Sequence, residues 1–91
     1  MKRYRLLVSG RVQGVGFRWY VKDLARQNAL CGWVRNLRNG QVEVVAEGDE
    51  RAWQSFLDQL RSGHLGRNIE KLEVAEEVSG EALEGFEIRF S

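Results

Sequence analysis

Residues 3–9 alternate along the chain, with Tyr4, Leu6 and Val8 on one side and Arg3, Arg5 and Ser9 on the other, which predicts a strand with one buried face. Leu7 interrupts the alternation. From Phe17 to about Asn28 the period changes: Phe17, Tyr20, Val21 and Leu24, with Ala25, recur at i, i+3, i+4 and i+7, the stripe of an amphipathic helix. Trp19 falls off that stripe and is expected in an ordinary partly exposed packing role, the alternative being the helix edge near the glycine-rich loop that precedes it. Residues 30–37 read as a second strand, and Asn39-Gly40 turns it into a third that begins with Gln41-Val42-Glu43-Val44-Val45. A second helix is predicted from about Asp49 to Arg61, with Trp53, Phe56, Leu57 and Leu60 facing inward and Gly63 as its stop signal. Ile69 to Val78 reads as a strand with Leu72, Val74 and Val78 on one face, and Phe86, Ile88 and Phe90 alternate in a last short one.

The order is therefore βαββαβ plus a terminal strand. Right-handed crossovers in both βαβ pairs, joined by the central hairpin, give a split βαβ sheet with both helices on one face. The predicted class is α+β, a ferredoxin-like sandwich with a mainly antiparallel sheet of strand order 4-1-3-2-5. Residues 1–91 are read as a single domain, a length able to bury roughly 60 to 65% of the unfolded surface around one core.

Composition narrows the function classes. The chain is 43% hydrophobic and 30% charged with a formal net charge of +1, so it is globular and carries no long-range field directed at nucleic acid or at an acidic membrane. No apolar run reaches the length of a membrane span. The basic start Met1-Lys2-Arg3-Tyr4-Arg5 precedes too short an apolar run for a signal peptide. Cys31 is the only cysteine, which excludes an internal disulfide and a multi-cysteine metal site. A cytoplasmic location is expected, with Cys31 as buried packing.

Candidate chemistry concentrates in Gly10-Arg11-Val12-Gln13-Gly14-Val15-Gly16-Phe17-Arg18, between the first strand and the first helix. Glycines permit positive φ, so that successive N–H groups can turn inward around an anion, and the helix contributes its positive end. Arg18 in the first turn offers a planar fork of donors matched to phosphate oxygens. A Walker loop would need Lys and Ser or Thr after Gly16, where Phe17 and Arg18 stand, and a dinucleotide fingerprint would need glycine at Trp19. Both are excluded. A plain strand-to-helix turn would also use glycine, so the glycines alone leave that alternative open.

The same nine residues resemble the acylphosphatase signature G-x-V-Q-G-V-x-F-R throughout, and Gly32-Trp33-Val34-Arg35-Asn36 resembles the family's second motif. The likeness extends through Asn39-Gly40 and the strand leading to Gly48, and covers essentially the whole chain. It departs at Leu65-Gly66-Arg67, where the family often has proline, and at Asn39, where it often has Asp. What the resemblance implies is a metal-free, cofactor-free hydrolase of the bond between a carboxylate and phosphate. It places the catalytic roles on Arg18 and Asn36, with phosphate held by the amides of Gln13, Gly14, Val15, Gly16, Phe17 and Arg18. The implied partner is a small acyl phosphate, with inorganic phosphate or sulfate as competing anion. The chain is taken as a monomer.

These residue types suit that reaction. A carboxylate leaves without being protonated, so positioning and charge stabilisation suffice. Amides and a guanidinium can follow the charge as it spreads over the equatorial oxygens in phosphoryl transfer. Asn36 can orient water through a neutral carboxamide; without the motif it would pass for a polar residue at a strand end. Neither side chain is a base near neutrality, which fits the implied mechanism in which a substrate phosphate oxygen helps take the water's proton. His64 lacks partners at metal spacing and is given no role, and Ser9 and Ser55 lack a histidine partner. Arg11, Arg35 and Arg38 read as solvated charge that could also attract an anion. Two rivals use the same fold. An RNA-binding module would carry its aromatics on central strands, whereas Phe17 and Trp19 open a helix. A non-catalytic anion-binding or regulatory module would keep the fold without turnover.

Overall fold

The computed structural model describes residues 1–90. Strand β1 (Lys2–Gly10) leads through the glycine loop into α1 (Phe17–Gln27), followed by β2 (Cys31–Asn36), β3 (Val42–Gly48), α2 (Glu50–Ser62), a 3-10 turn (Gly66–Asn68), β4 (Ile69–Glu77) and β5 (Phe86–Arg89). The sheet order is β4-β1-β3-β2-β5. β1 pairs antiparallel with both β3 and β4, β2 antiparallel with β3, and β5 parallel with β2. This is the predicted split βαβ topology, including the place of the last strand beside β2.

The two helical stripes meet the sheet as their periods require. Phe17, Tyr20, Val21 and Ala25 of α1 and Trp53, Phe56, Leu57 and Leu60 of α2 are buried against Tyr4, Leu6, Val8, Val34, Val42 and Val44. Each large side chain so buried contributes roughly 1.5–3 kcal/mol. Tyr4 stacks on Trp53 with ring centres 4.5 Å apart, tying β1 to α2. α2 begins at Asp49, whose carboxylate accepts from the Ala52 amide at 2.7 Å. Gly63 follows α2 for a reason other than its stop signal. Its φ is an ordinary −76°, but a Cβ there would lie 2.2 Å from the Tyr20 hydroxyl, and that hydroxyl donates to Leu60 O at 2.7 Å.

Three expectations are corrected. Leu72 and Val74 share the helix side of β4 as expected, half-buried and 47% exposed, but the strand ends at Glu77 and Val78, 93% exposed, lies beyond it. β4 is an edge strand, and its apolar alternation marks the helix side without guaranteeing that a helix covers it. Cys31 is half-buried, not core. It pairs with Glu47 on the sheet face that carries no helix. Phe90, expected to continue the side of Phe86 and Ile88, is 79% exposed one residue past β5.

The helix-free face is held by charge. Glu43 is almost fully buried near the start of β3, and its carboxylate accepts from Arg5 Nε at 2.5 Å and from Arg35 Nε at 2.7 Å. A three-strand crosslink results. Desolvation pushes the Glu43 carboxyl up, but the hydrogen bonds and charges of the two arginines outweigh it and hold it below the ordinary carboxylate range. Because the folded value lies below the unfolded one, this stabilisation is fully present above the ordinary range. It is lost as pH falls through the lowered value. Thermal unfolding of Glu43→Gln should show a shallower loss of stability on acidification than the unmodified chain. At neutral pH the cost should be about 1 kcal/mol, small because both arginines are more than a third exposed and can turn to water. Identical acid profiles would contradict this assignment.

Candidate active site

The glycine loop is fixed at both ends and open between them. Val12 and Phe17 are each 1% exposed, so the core anchors the loop on either side of Gln13–Gly16. On the β4 side the Arg11 amide donates to Asn68 O, and Asn68 Nδ2 donates back to Arg11 O, each at 3.0 Å. On the β2 side Gln13 Nε2 donates to the carbonyls of Leu37 at 2.8 Å and Gln41 at 2.9 Å. The Gln13 side chain is therefore a strap to the β2–β3 hairpin, leaving its amide for the loop.

Between the anchors, Gly14 and Gly16 take φ of 76° and 81°, the left-handed region that other residues enter at a cost. A Cβ at either would meet nothing within 4 Å, so backbone conformation and not crowding calls for glycine. The amides of residues 13–18 donate to no protein group among the described residues. The first hydrogen bond of α1 runs from the Tyr20 amide to Gly16 O at 3.1 Å. α1 has no side-chain cap and no acidic residue in its first turn, in contrast to the Asp49-capped α2. Six amide donors without an acceptor among the described residues, at an uncapped helix N-terminus, are suited to receive an anion.

Arg18, in the first turn of α1, is half-buried, with its guanidinium carbon 4.8 Å from the ring centre of Phe90. The β2–β5 ladder ends at Arg35 opposite Arg89, so the next residues on the two strands are Asn36 and Phe90. Asn36, Arg38 and Phe90 together line a cavity of about 430 Å³. Phe90 thus brings Arg18 and Asn36 into one neighbourhood. The carboxamide oxygen of Asn36 is buried and accepts no hydrogen bond, the only such side-chain atom found among the described residues. A buried acceptor without a donor costs about 1–3 kcal/mol, which a water molecule placed there would relieve.

Of the predicted site residues, Gln13, Gly14, Val15, Gly16, Phe17 and Arg18 form one continuous run of amides without an acceptor among the described residues, and Asn36 lines a cavity with Phe90, the ring that Arg18 meets. Phe17 turns its side chain into the core, and Val15 turns its own outward. Arg35 and Arg38 both line the Asn36 cavity, and Arg35 is also engaged by Glu43 and Trp33. Phe90 and the Gln13 strap were missed. The Phe86-Ile88-Phe90 alternation was the nearest signal for Phe90, and it pointed that ring to the wrong environment. No three His, Cys, Asp or Glu side chains among the described residues gather closely enough to hold a metal ion.

Comparison with known proteins bears directly on this site. The family model described as Acylphosphatase matches residues 4–88, a span that includes the loop, Arg18 and Asn36. The acylphosphatase of Bacillus subtilis (strain 168) is 43% identical over 91 residues, covering all of both chains. Among solved structures, the crystal structure of acylphosphatase from Bacillus subtilis superposes with a TM-score of 0.90 at 43% identity, covering 98% of this chain and 99% of that one. An acylphosphatase from Coxiella burnetii superposes at 0.86 and 34% identity, covering 97% and 92%. With a model match over nearly its whole length and relatives this close, the chain belongs to the acylphosphatase family.

Proposed function

We propose that this chain is an acylphosphatase, hydrolysing the carboxyl–phosphate bond of a small acyl phosphate to a carboxylate and inorganic phosphate. The observation that supports this reading most directly is the uncapped run of free amides at residues 13–18 beside the orphaned carboxamide oxygen of Asn36. In this reading the phosphoryl dianion lies among those amides and is clasped by the Arg18 fork. Asn36 Oδ1 accepts a hydrogen bond from the attacking water and aims its oxygen at phosphorus. The new P–O bond forms as the bond to the carboxylate breaks, and the water's proton passes to a phosphate oxygen. No protein base is required, because the leaving carboxylate needs no proton and the amides and guanidinium carry the developing charge.

Inorganic phosphate and sulfate would occupy the same cup and compete. The chain would act as a monomer in the cytoplasm; none of the helices described is long and apolar enough to cross a membrane. Benzoyl phosphate and acetyl phosphate should both be hydrolysed in the presence of a chelator, followed by release of inorganic phosphate. Turnover that returns only with a divalent ion would contradict the mechanism, and absence of turnover would favour the non-catalytic module.

A further inference from the structure

We propose that a second cavity, on the α2 side of the glycine loop, receives the acyl end of the substrate and favours an aromatic or bulky apolar acyl group. The proposal rests on the acyl phosphate reading above and deepens it. The cavity holds about 500 Å³ and runs from Val15 and Gly16 along Trp19 and Leu24 to His64 and Leu65. That volume lies in the range of small-molecule sites, and its walls are mainly apolar.

Three observations assign it to the acyl end. First, it is continuous with the anion cup, because Val15 and Gly16 belong to both. Second, it is separate from the cavity at Asn36, with which it shares no lining residue. The loop is strapped to the 3-10 turn before β4 at Arg11 and to the β2–β3 hairpin at Gln13. Asn36, Phe90 and Arg38 stand on the hairpin side, whereas His64 and Leu65 follow α2 on the other. In-line displacement puts the attacking and leaving oxygens on opposite sides of phosphorus. With water held at Asn36, the carboxylate departs away from it, and the cavity that opens at Val15 and Gly16 is the one assigned to receive it. Third, its walls include a surface that folding does not explain. Trp19 stands off the buried stripe of α1 and is 59% exposed, and Val15 is 38% exposed. Lys22 Nζ lies 4.8 Å from the Trp19 ring centre, a contact that restrains the ring from its own helix. The opposite wall is firm, since the His64 ring meets Tyr20 edge-on at 5.0 Å and Tyr20 is pinned to Leu60.

A single methylene seated in a matched apolar pocket already contributes about 10- to 200-fold in discrimination. Steady-state kinetics of benzoyl and acetyl phosphate on the full chain, Trp19→Ala and Trp19→Phe test the assignment. The kcat/KM ratio of benzoyl to acetyl phosphate should fall about tenfold in Trp19→Ala, through the benzoyl term, and be largely kept in Trp19→Phe. The inhibition constant of inorganic phosphate should be the same in all three, because phosphate has no acyl end. An unchanged ratio in Trp19→Ala, with both compounds still turned over, would overturn the acyl site and leave the hydrolase reading standing. Failure of the unmodified chain to turn over either compound would remove the parent reading and this proposal together.

Discussion

Arg18→Lys should lower kcat/KM for benzoyl phosphate by on the order of 10³ while leaving the fold in place. Loss of one well-placed donor from a site of this kind costs about 10²- to 10³-fold, and lysine forfeits the planar fork that grips two oxygens at once even though it keeps the charge. The guanidinium is held in place by stacking on the exposed Phe90 ring at 4.8 Å and by its position in the first turn of α1. That stacking contributes only about 0.5–1 kcal/mol at an exposed site, so thermal stability should move little. Activity loss without destabilisation would locate the effect in the chemistry. Near-parental turnover in Arg18→Lys would mean that simple charge suffices and that the fork is not the clamp.

Asn36→Ala should separate turnover from anion binding. Its carboxamide oxygen is buried without a donor, so it contributes nothing to stability through hydrogen bonding and its removal should leave the melting temperature unchanged or slightly raised. If it orients the water, kcat should fall about 10²- to 10³-fold while the inhibition constant of inorganic phosphate changes by less than about threefold. A parallel loss of phosphate affinity would place Asn36 in the anion site. A fall in stability comparable to the fall in rate would make it a structural residue of the β2 end.

Much of this protein was legible in its sequence where the signal is local. The α1 stripe, the Asn39-Gly40 hairpin and the α2 stripe depend on residues a few positions apart, and each formed as its spacing requires. Strand order followed because crossover handedness and the single hairpin leave few alternatives. What could not be read depends on contacts distant in the chain. Alternation in β4 identified which side of the strand faces the helices, but whether Val74 is covered depends on how far α2 reaches across the sheet. Gly63 sits after α2 as a helix stop would, yet the requirement for glycine comes from Tyr20 on the other helix. The loop glycines and Arg18 were visible as a motif. The Phe90 ring that carries Arg18 was not, since it arrives from the opposite end of the chain through the parallel pairing of β5 with β2. Gln13 was found for its amide, and only the folded hairpin reveals the use of its side chain.

The central claim is that a dianion is seated on the main-chain amides of residues 13–18 and clasped by Arg18. Titration of the ¹⁵N-labelled protein with inorganic phosphate, followed by amide resonances, tests it most directly. Saturable shifts should concentrate in residues 13–18, with the same amides responding far more weakly in Arg18→Lys. Shifts centred elsewhere, or an unresponsive loop in a chain that still hydrolyses acyl phosphates, would contradict it.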